Sequence, residues 1–311
     1  MGLPSVIMDG RITIRLGHSP DPDDAFMWWP LLERGGPARI ASPRFRFEAV
    51  PEDIEALNRR AVAGDDLLEV SAFSAATYAR IADRYVITAC GSSVGDGYGP
   101  KLVARAACPA ESLRGGHVAI PGTGTTAFLA TSLLLGPGSF RATVVPFKEI
   151  PAEVAAGRFD AGVVIHEGQL TFGDQGLVLV EDLGRWWREL TGRPLPLGAN
   201  GVLRALEVRH GAGTMSEIAS LLERSVAYAL EHREESIRYA LGFADGMAPE
   251  LADRFIAMYV NAWTLDVGTE GQAAVAELLS RAADAGLLPR VAVPDILGTA
   301  WGGRYAAPPA R

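Results

Sequence analysis

Between residues 117 and 165 short apolar runs alternate with helical stretches, and that rhythm leaves the chain few folds to choose from. Segments 117–120, 143–147 and 162–165 read as strands, with helices at 125–135 and 151–156 between them. Strands that are apolar almost throughout suit burial on both faces. Strands joined through helices pair in parallel, because a parallel connection must cross back over the sheet. The expected class is therefore α/β, an open sheet with helices on its faces.

The same texture extends in both directions. Segments 12–16, 45–50, 68–71 and 86–89 read as strands, with helices at 25–32, 51–63 and 75–82, and 101–105 begins a new unit. Residues 195–201 read as a return crossing, and from about 214 the chain turns helical. Thr214-Met215-Ser216-Glu217 has the form of a capping box, and helices follow to 231 and at 234–243, 250–263 and 272–285. Gly286 stands as a helix stop, and the Gly-, Ala- and Pro-rich tail 298–311 reads as a loose end. An α/β lobe at 102–203 inserted into a lobe made of 1–101 and 204–311 requires two chain crossings, hence a hinge and a cleft. That is the layout of the type II periplasmic-binding-protein folds.

Composition narrows the partners. The net charge is −8 and no dense Lys/Arg run occurs, which argues against nucleic acid and against anionic membranes. No apolar run approaches the ~20 residues of a membrane span. Cys90 and Cys108, the only cysteines, form neither a redox pair nor a zinc knuckle, which suits a reducing compartment. The first ten residues lack the basic head and the apolar stretch of roughly 7–15 residues of a secretory signal, so a cytoplasmic location is expected.

Several segments can carry chemistry. Val163-Val164-Ile165-His166-Glu167-Gly168 sets an imidazole where a strand ends, and ligands of open α/β sheets bind beyond the carboxyl ends of strands. Histidine suits proton transfer near neutrality, although a satisfied structural histidine fits the same position. His166-Glu167 begins like a zinc-protease helix, but Leu170 stands where the second histidine belongs, and no metal is expected.

Gly122-Thr123-Gly124-Thr125-Thr126-Ala127 follows a strand and opens a helix. Unpaired N–H groups and the helix dipole there favour a carboxylate or phosphate, and a simple capped turn has the same spelling. No Gly-Lys-Ser/Thr follows, which excludes a Walker A loop. The formal dinucleotide fingerprint lacks its acid about 20 residues on. Asp21, Asp23 and Asp24 read as helix-start acids beside prolines, or as metal-binding carboxylates. Ser71 and His18 end strands where a side chain can face the cleft, although a serine there more often caps a helix; the glycines of 95–99 allow close backbone approach or form only a turn.

Read in order, certain pieces resemble a known family. They are Ser19-Pro20-Asp21-Pro22-Asp23-Asp24-Ala25-Phe26, Glu52-Asp53-Ile54-Glu55-Ala56-Leu57-Asn58 and Val94-Gly95-Asp96-Gly97-Tyr98-Gly99-Pro100. Residues 121–127, Ile165-His166-Glu167-Gly168-Gln169, Leu195-Pro196-Leu197-Gly198 and Tyr259-Val260-Asn261-Ala262 complete the set. Together they are similar to the 1,4-dihydroxy-6-naphthoate synthase family of the futalosine route to menaquinone.

The resemblance implies a two-lobed binding-protein fold and a carbon–carbon lyase that needs no cofactor. Its substrate would be a small-molecule carboxylate, cyclic dehypoxanthinyl futalosine. Its products would be 1,4-dihydroxy-6-naphthoate, or the 5,8-dihydroxy-2-naphthoate isomer, and a dihydroxyacetone fragment. It implies His166 as the base, with Thr125, Thr126, Ser71, the turn at Gly124 and the segment around Asp24 holding the substrate. Better-known members read Ser-Pro-Cys-Pro-Asn-Asp in place of residues 19–24, and carry lysine where Glu69 stands. A solute-binding protein that captures a small carboxylate, and an enzyme of the chorismate dehydratase type, share this fold and remain alternatives. The sequence does not indicate an oligomeric state.

Overall fold

The structure, a computed structural model, describes residues 10–34, 36–244, 247–291 and 293–298. Among the described residues twelve strands form two sheets: β1 Ile12–His18, β2 Phe45–Pro51, β3 Val70–Ser74, β4 Tyr85–Thr88, β5 Ser93–Gly95, β6 Lys101–Ala104, β7 His117–Ile120, β8 Arg141–Val144, β9 Ala161–Val164, β10 Val178–Asp182, β11 Leu195–Leu203 and β12 Ile296–Leu297. The first sheet runs β12-β4-β11-β3-β1-β2, with β5 also on β11; the second runs β10-β6-β9-β7-β8. Each sheet is the centre of one lobe, and a cleft lies between the lobes.

The alternating region folds as its pattern requires. β7 pairs in parallel with both β8 and β9, and the helices Thr126–Leu135 and Ile150–Ala155 make the crossovers. β9 is buried at every position, whereas β8, at the sheet edge, is exposed at every position. β6 joins this sheet antiparallel to β9 and brings in the edge strand β10. Neither β10 nor the helix Leu183–Thr191 that follows it stands out in the sequence. Asp182 joins the two: its carboxylate accepts from the N–H groups of Gly184 and Arg185 and binds the Lys101 ammonium.

In the first lobe β1 is parallel to β2 and β3, while β11 is antiparallel to β3, β4 and β5. The segment read as a return crossing is thus a full strand of the first sheet. The capping box expected at 214–217 does not form: Gly213 is the N-cap residue, and Arg44 binds both Thr214 Oγ1 and Glu217. A capping box does occur at Asn261, with Thr264 as its return partner. Gly286 has φ 71° beyond the helix Gly268–Asp284, as expected of a stop. The tail beyond Gly298 lies outside the described residues. Among the described residues no helix is long and apolar enough to cross a membrane.

Candidate active site in the interlobe cleft

The cleft holds roughly 750 Å³ of space, part of it open to solvent, and both lobes line it. The first lobe contributes Ser19, Asp23 and Asp24 after β1, Ala72, Phe73 and Ser74 at the end of β3, and residues 197–200 of β11. The second lobe contributes residues 125–127 after β7 and Ile165, His166 and Gln169 after β9. Phe255 and Tyr259, from the helix Pro249–Tyr259, form a further wall. The loops after β1, β7 and β9 therefore converge at carboxyl ends of strands, where open α/β sheets bind ligands.

His166 follows β9 with φ 49°, in the left-handed region that a residue with a Cβ rarely adopts. That backbone costs roughly 1–2 kcal/mol and persists only where its surroundings impose it. The imidazole packs against Phe147, with ring centroids 4.6 Å apart, and its Nδ1 lies 3.2 Å from Asp21 Oδ2 across the cleft. The same Asp21 oxygen accepts the Ser19 hydroxyl. A carboxylate accepting from Nδ1–H places the imidazole lone pair on Nε2. Nε2 is buried and has no partner in the protein.

The turn after β1 holds three carboxylates under cover. Asp21, Asp23 and Asp24 are 4%, 7% and 8% exposed. Asp24 Oδ2 accepts the Ser19 N–H at 2.7 Å, and Asp23 Oδ1 meets no protein donor. Burial, then the neighbouring carboxylates of Asp24 and Asp21, push the Asp23 carboxyl up to about 8. Burial also raises Asp24, against the Ser19 N–H that lowers it. Asn200 Oδ1, on the β11 floor, is likewise buried without a partner, while its Nδ2 donates to Gly91 O at 2.7 Å. Three buried polar atoms without a protein partner, on Asp23, His166 and Asn200, thus border one cleft. A ligand carrying several hydroxyl donors would satisfy them.

The glycine turn is more occupied than its spelling suggests. Thr125 Oγ1 donates to Gly122 O at 2.8 Å and accepts from Phe128 N at 3.1 Å, making it the helix cap. Thr126 Oγ1 donates to Leu197 O at 2.8 Å and accepts from Ala76 N at 3.1 Å, tying the helix start to the first lobe. Gly124 N–H donates to the Glu55 carboxylate, at 3.2 Å and 3.1 Å from its two oxygens. Thr77 Oγ1 donates to Gly124 O at 2.9 Å. Thr125 and Thr126 line the cleft, but both hydroxyls already serve the protein; Gly124 lies behind the lining and holds a resident carboxylate.

Other expected residues sit elsewhere. Ser71 is 1% exposed, donates to Ala72 O at 3.0 Å and does not line the cleft; Ser74, with its hydroxyl 3.0 Å from Asn58 Nδ2, does. The two serines are three positions apart on a strand, an odd offset, so they present opposite faces. His18 is 2% exposed, with Nδ1 2.7 Å from Ser19 O, and burial lowers its pKa. Glu69 is bound by the Arg15 guanidinium at 2.9 Å, away from the cleft. It is Asp21, not Glu167, that meets the His166 ring. Of the 95–100 loop only Pro100 reaches the lining. Gln169 and Tyr259, whose polar groups lie 2.7 Å apart, complete the wall beside His166.

Comparison with known proteins adds an independent line. A family model described as menaquinone biosynthesis matches residues 14–284. A 1,4-dihydroxy-6-naphthoate synthase of Thermus thermophilus is 42% identical over 274 residues, 88% of this chain and 95% of the relative. An enzyme of the same name from Streptomyces coelicolor is 36% identical over 289 residues, 92% of this chain and 98% of the relative. Among solved structures, the alkanesulfonate-binding protein SsuA of Xanthomonas axonopodis pv. citri superposes with a TM-score of 0.69 at 15% identity, covering 92% of this chain and 98% of that one. At that identity the likeness concerns the fold alone.

Proposed function

The chain belongs to the menaquinone biosynthesis family, and on that premise we propose that it is a carbon–carbon lyase acting on cyclic dehypoxanthinyl futalosine. The products are 1,4-dihydroxy-6-naphthoate, the compound in its relatives' name, and a dihydroxyacetone fragment. The observation that carries this reading is the His166–Asp21 contact of 3.2 Å, which leaves Nε2 buried at the cleft without a partner. Such an imidazole is oriented to take a proton from a bound substrate.

The aryl carboxylate docks at the start of the helix Thr126–Leu135, on the positive end of its dipole. Since the Thr125 and Thr126 hydroxyls are engaged, they shape this end, and backbone N–H groups supply the attraction. Ser74 and Asn200 meet the polar middle of the molecule, and Phe255 and Tyr259 cover its ring. Approach of the lobes excludes water, which strengthens every charge interaction inside. Neutral His166 then removes a proton, the carbon–carbon bond breaks in the retro-aldol sense, and aromatisation of the larger fragment draws the reaction forward. Incubation with cyclic dehypoxanthinyl futalosine, followed by mass and retention-time analysis, should yield the naphthoate and identify its isomer. Recovery of unchanged substrate would overturn the proposal.

A further inference from the structure

We propose that Asp23 is a second catalytic residue of this cleft, the donor that protonates the departing fragment. The inference rests on the lyase reading and adds to it. A base alone leaves the cleavage unbalanced. When His166 Nε2 takes a proton, the freed electron pair forms a new double bond and the carbon–carbon bond breaks. Its electron pair passes to the smaller fragment, which leaves as an enolate and needs one proton to become dihydroxyacetone. Electrons stay within the reactant, so no oxidant or reductant enters; the enzyme ends with a His166 imidazolium and a donor short of one proton. Transfer from the first to the second, through solvent after release, restores both.

Asp23 fits the donor's place. It lines the cleft, is 7% exposed, and its Oδ1 has no protein partner. Asp24 is less suited because the Ser19 N–H holds its Oδ2, and Asp21 is engaged by Ser19 and His166. The groups acting on Asp23 are Asp24 and Asp21 on its own turn and His166 across the cleft, with Tyr259 nearby on the helix Pro249–Tyr259. Arg233, on the helix packed behind, pairs with Asp253 and lies over the Phe26 ring. Burial and the adjacent acids together favour the protonated carboxyl. A carboxyl that keeps its proton in the fold supports stability at low pH, and that support is lost as pH rises from the ordinary carboxylate range through about 8.

The test compares wild type with Asp23→Asn, which preserves shape but has no acidic proton to give. The expected result is a fall in kcat of about 10²-fold or more with KM within about threefold, and loss of the high-pH limb of the rate profile while the low-pH limb persists. The melting temperature of Asp23→Asn should gain on wild type more at pH 8 than at pH 5. Turnover within about threefold of wild type, or a high-pH limb that survives the substitution, would overturn the donor role. A melting difference that does not vary with pH would overturn it too. Failure of wild type to release any naphthoate would overturn the lyase reading itself, whereas naphthoate from both proteins at equal rates overturns only the role of Asp23.

Discussion

His166 is held by its backbone as much as by its neighbours. With a left-handed φ at a residue bearing a Cβ, the ring meets Asp21 of the other lobe. Asparagine tolerates that region, so His166→Asn removes the proposed base without unseating the loop. Its turnover should drop by about 10²–10⁴-fold with the melting temperature little changed. Asp21→Asn should leave KM near wild type and lower kcat on the order of 10²-fold or more, because an amide no longer selects the tautomer with its lone pair on Nε2. Steady-state kinetics on the two variants checks both. The imidazole was legible in the sequence, since it interrupts an apolar strand. Its carboxylate partner was not: Asp21 lies on the other lobe, beside prolines that explain an acid equally well as a helix start.

At the scale of elements, the turn 122–125 joins the lobes through the Glu55 side chain. A Cβ at Gly122 would lie 2.4 Å from Glu55 Cδ and would push that carboxylate off the Gly124 N–H it accepts from. Gly122→Ala should therefore cost about 1–3 kcal/mol in a urea titration, as overpacking of a close contact does. Thr125→Ala removes the helix cap and should cost about 1 kcal/mol by the same measurement. The glycines and threonines announce a helix start plainly. They do not announce that Glu55 fills it, because that contact depends on how two distant segments pack. The spelling at 214–217 misleads for a similar reason: Arg44, from the strand side, takes the threonine and the glutamate that would otherwise cap each other.

At the scale of the molecule, strand rhythm was enough to read a two-lobed α/β fold, because parallel pairing requires crossovers and crossovers require helices. The placement of β11 in the first sheet was not readable, since its Pro- and Gly-bearing sequence resembles a connector. The lobes meet through the Glu55–Gly124, Thr77–Gly124 and Thr126–Leu197 hydrogen bonds. Glu55→Gln weakens the first of these by removing the charge that strengthens it. The variant should show a larger radius of gyration by small-angle scattering than wild type. Substrate should reverse the expansion if it draws the lobes together.

β11 runs through the middle of the first sheet, pairs with three strands, and supplies Leu197, Gly198, Ala199 and Asn200 to the cleft. The floor of the cleft is therefore a strand paired along both edges, and its amides should be among the last to exchange with deuterium. Whatever adapts to an incoming molecule must be the walls, so selectivity for ring shape is read against an unyielding base while capture is left to the parts that swing.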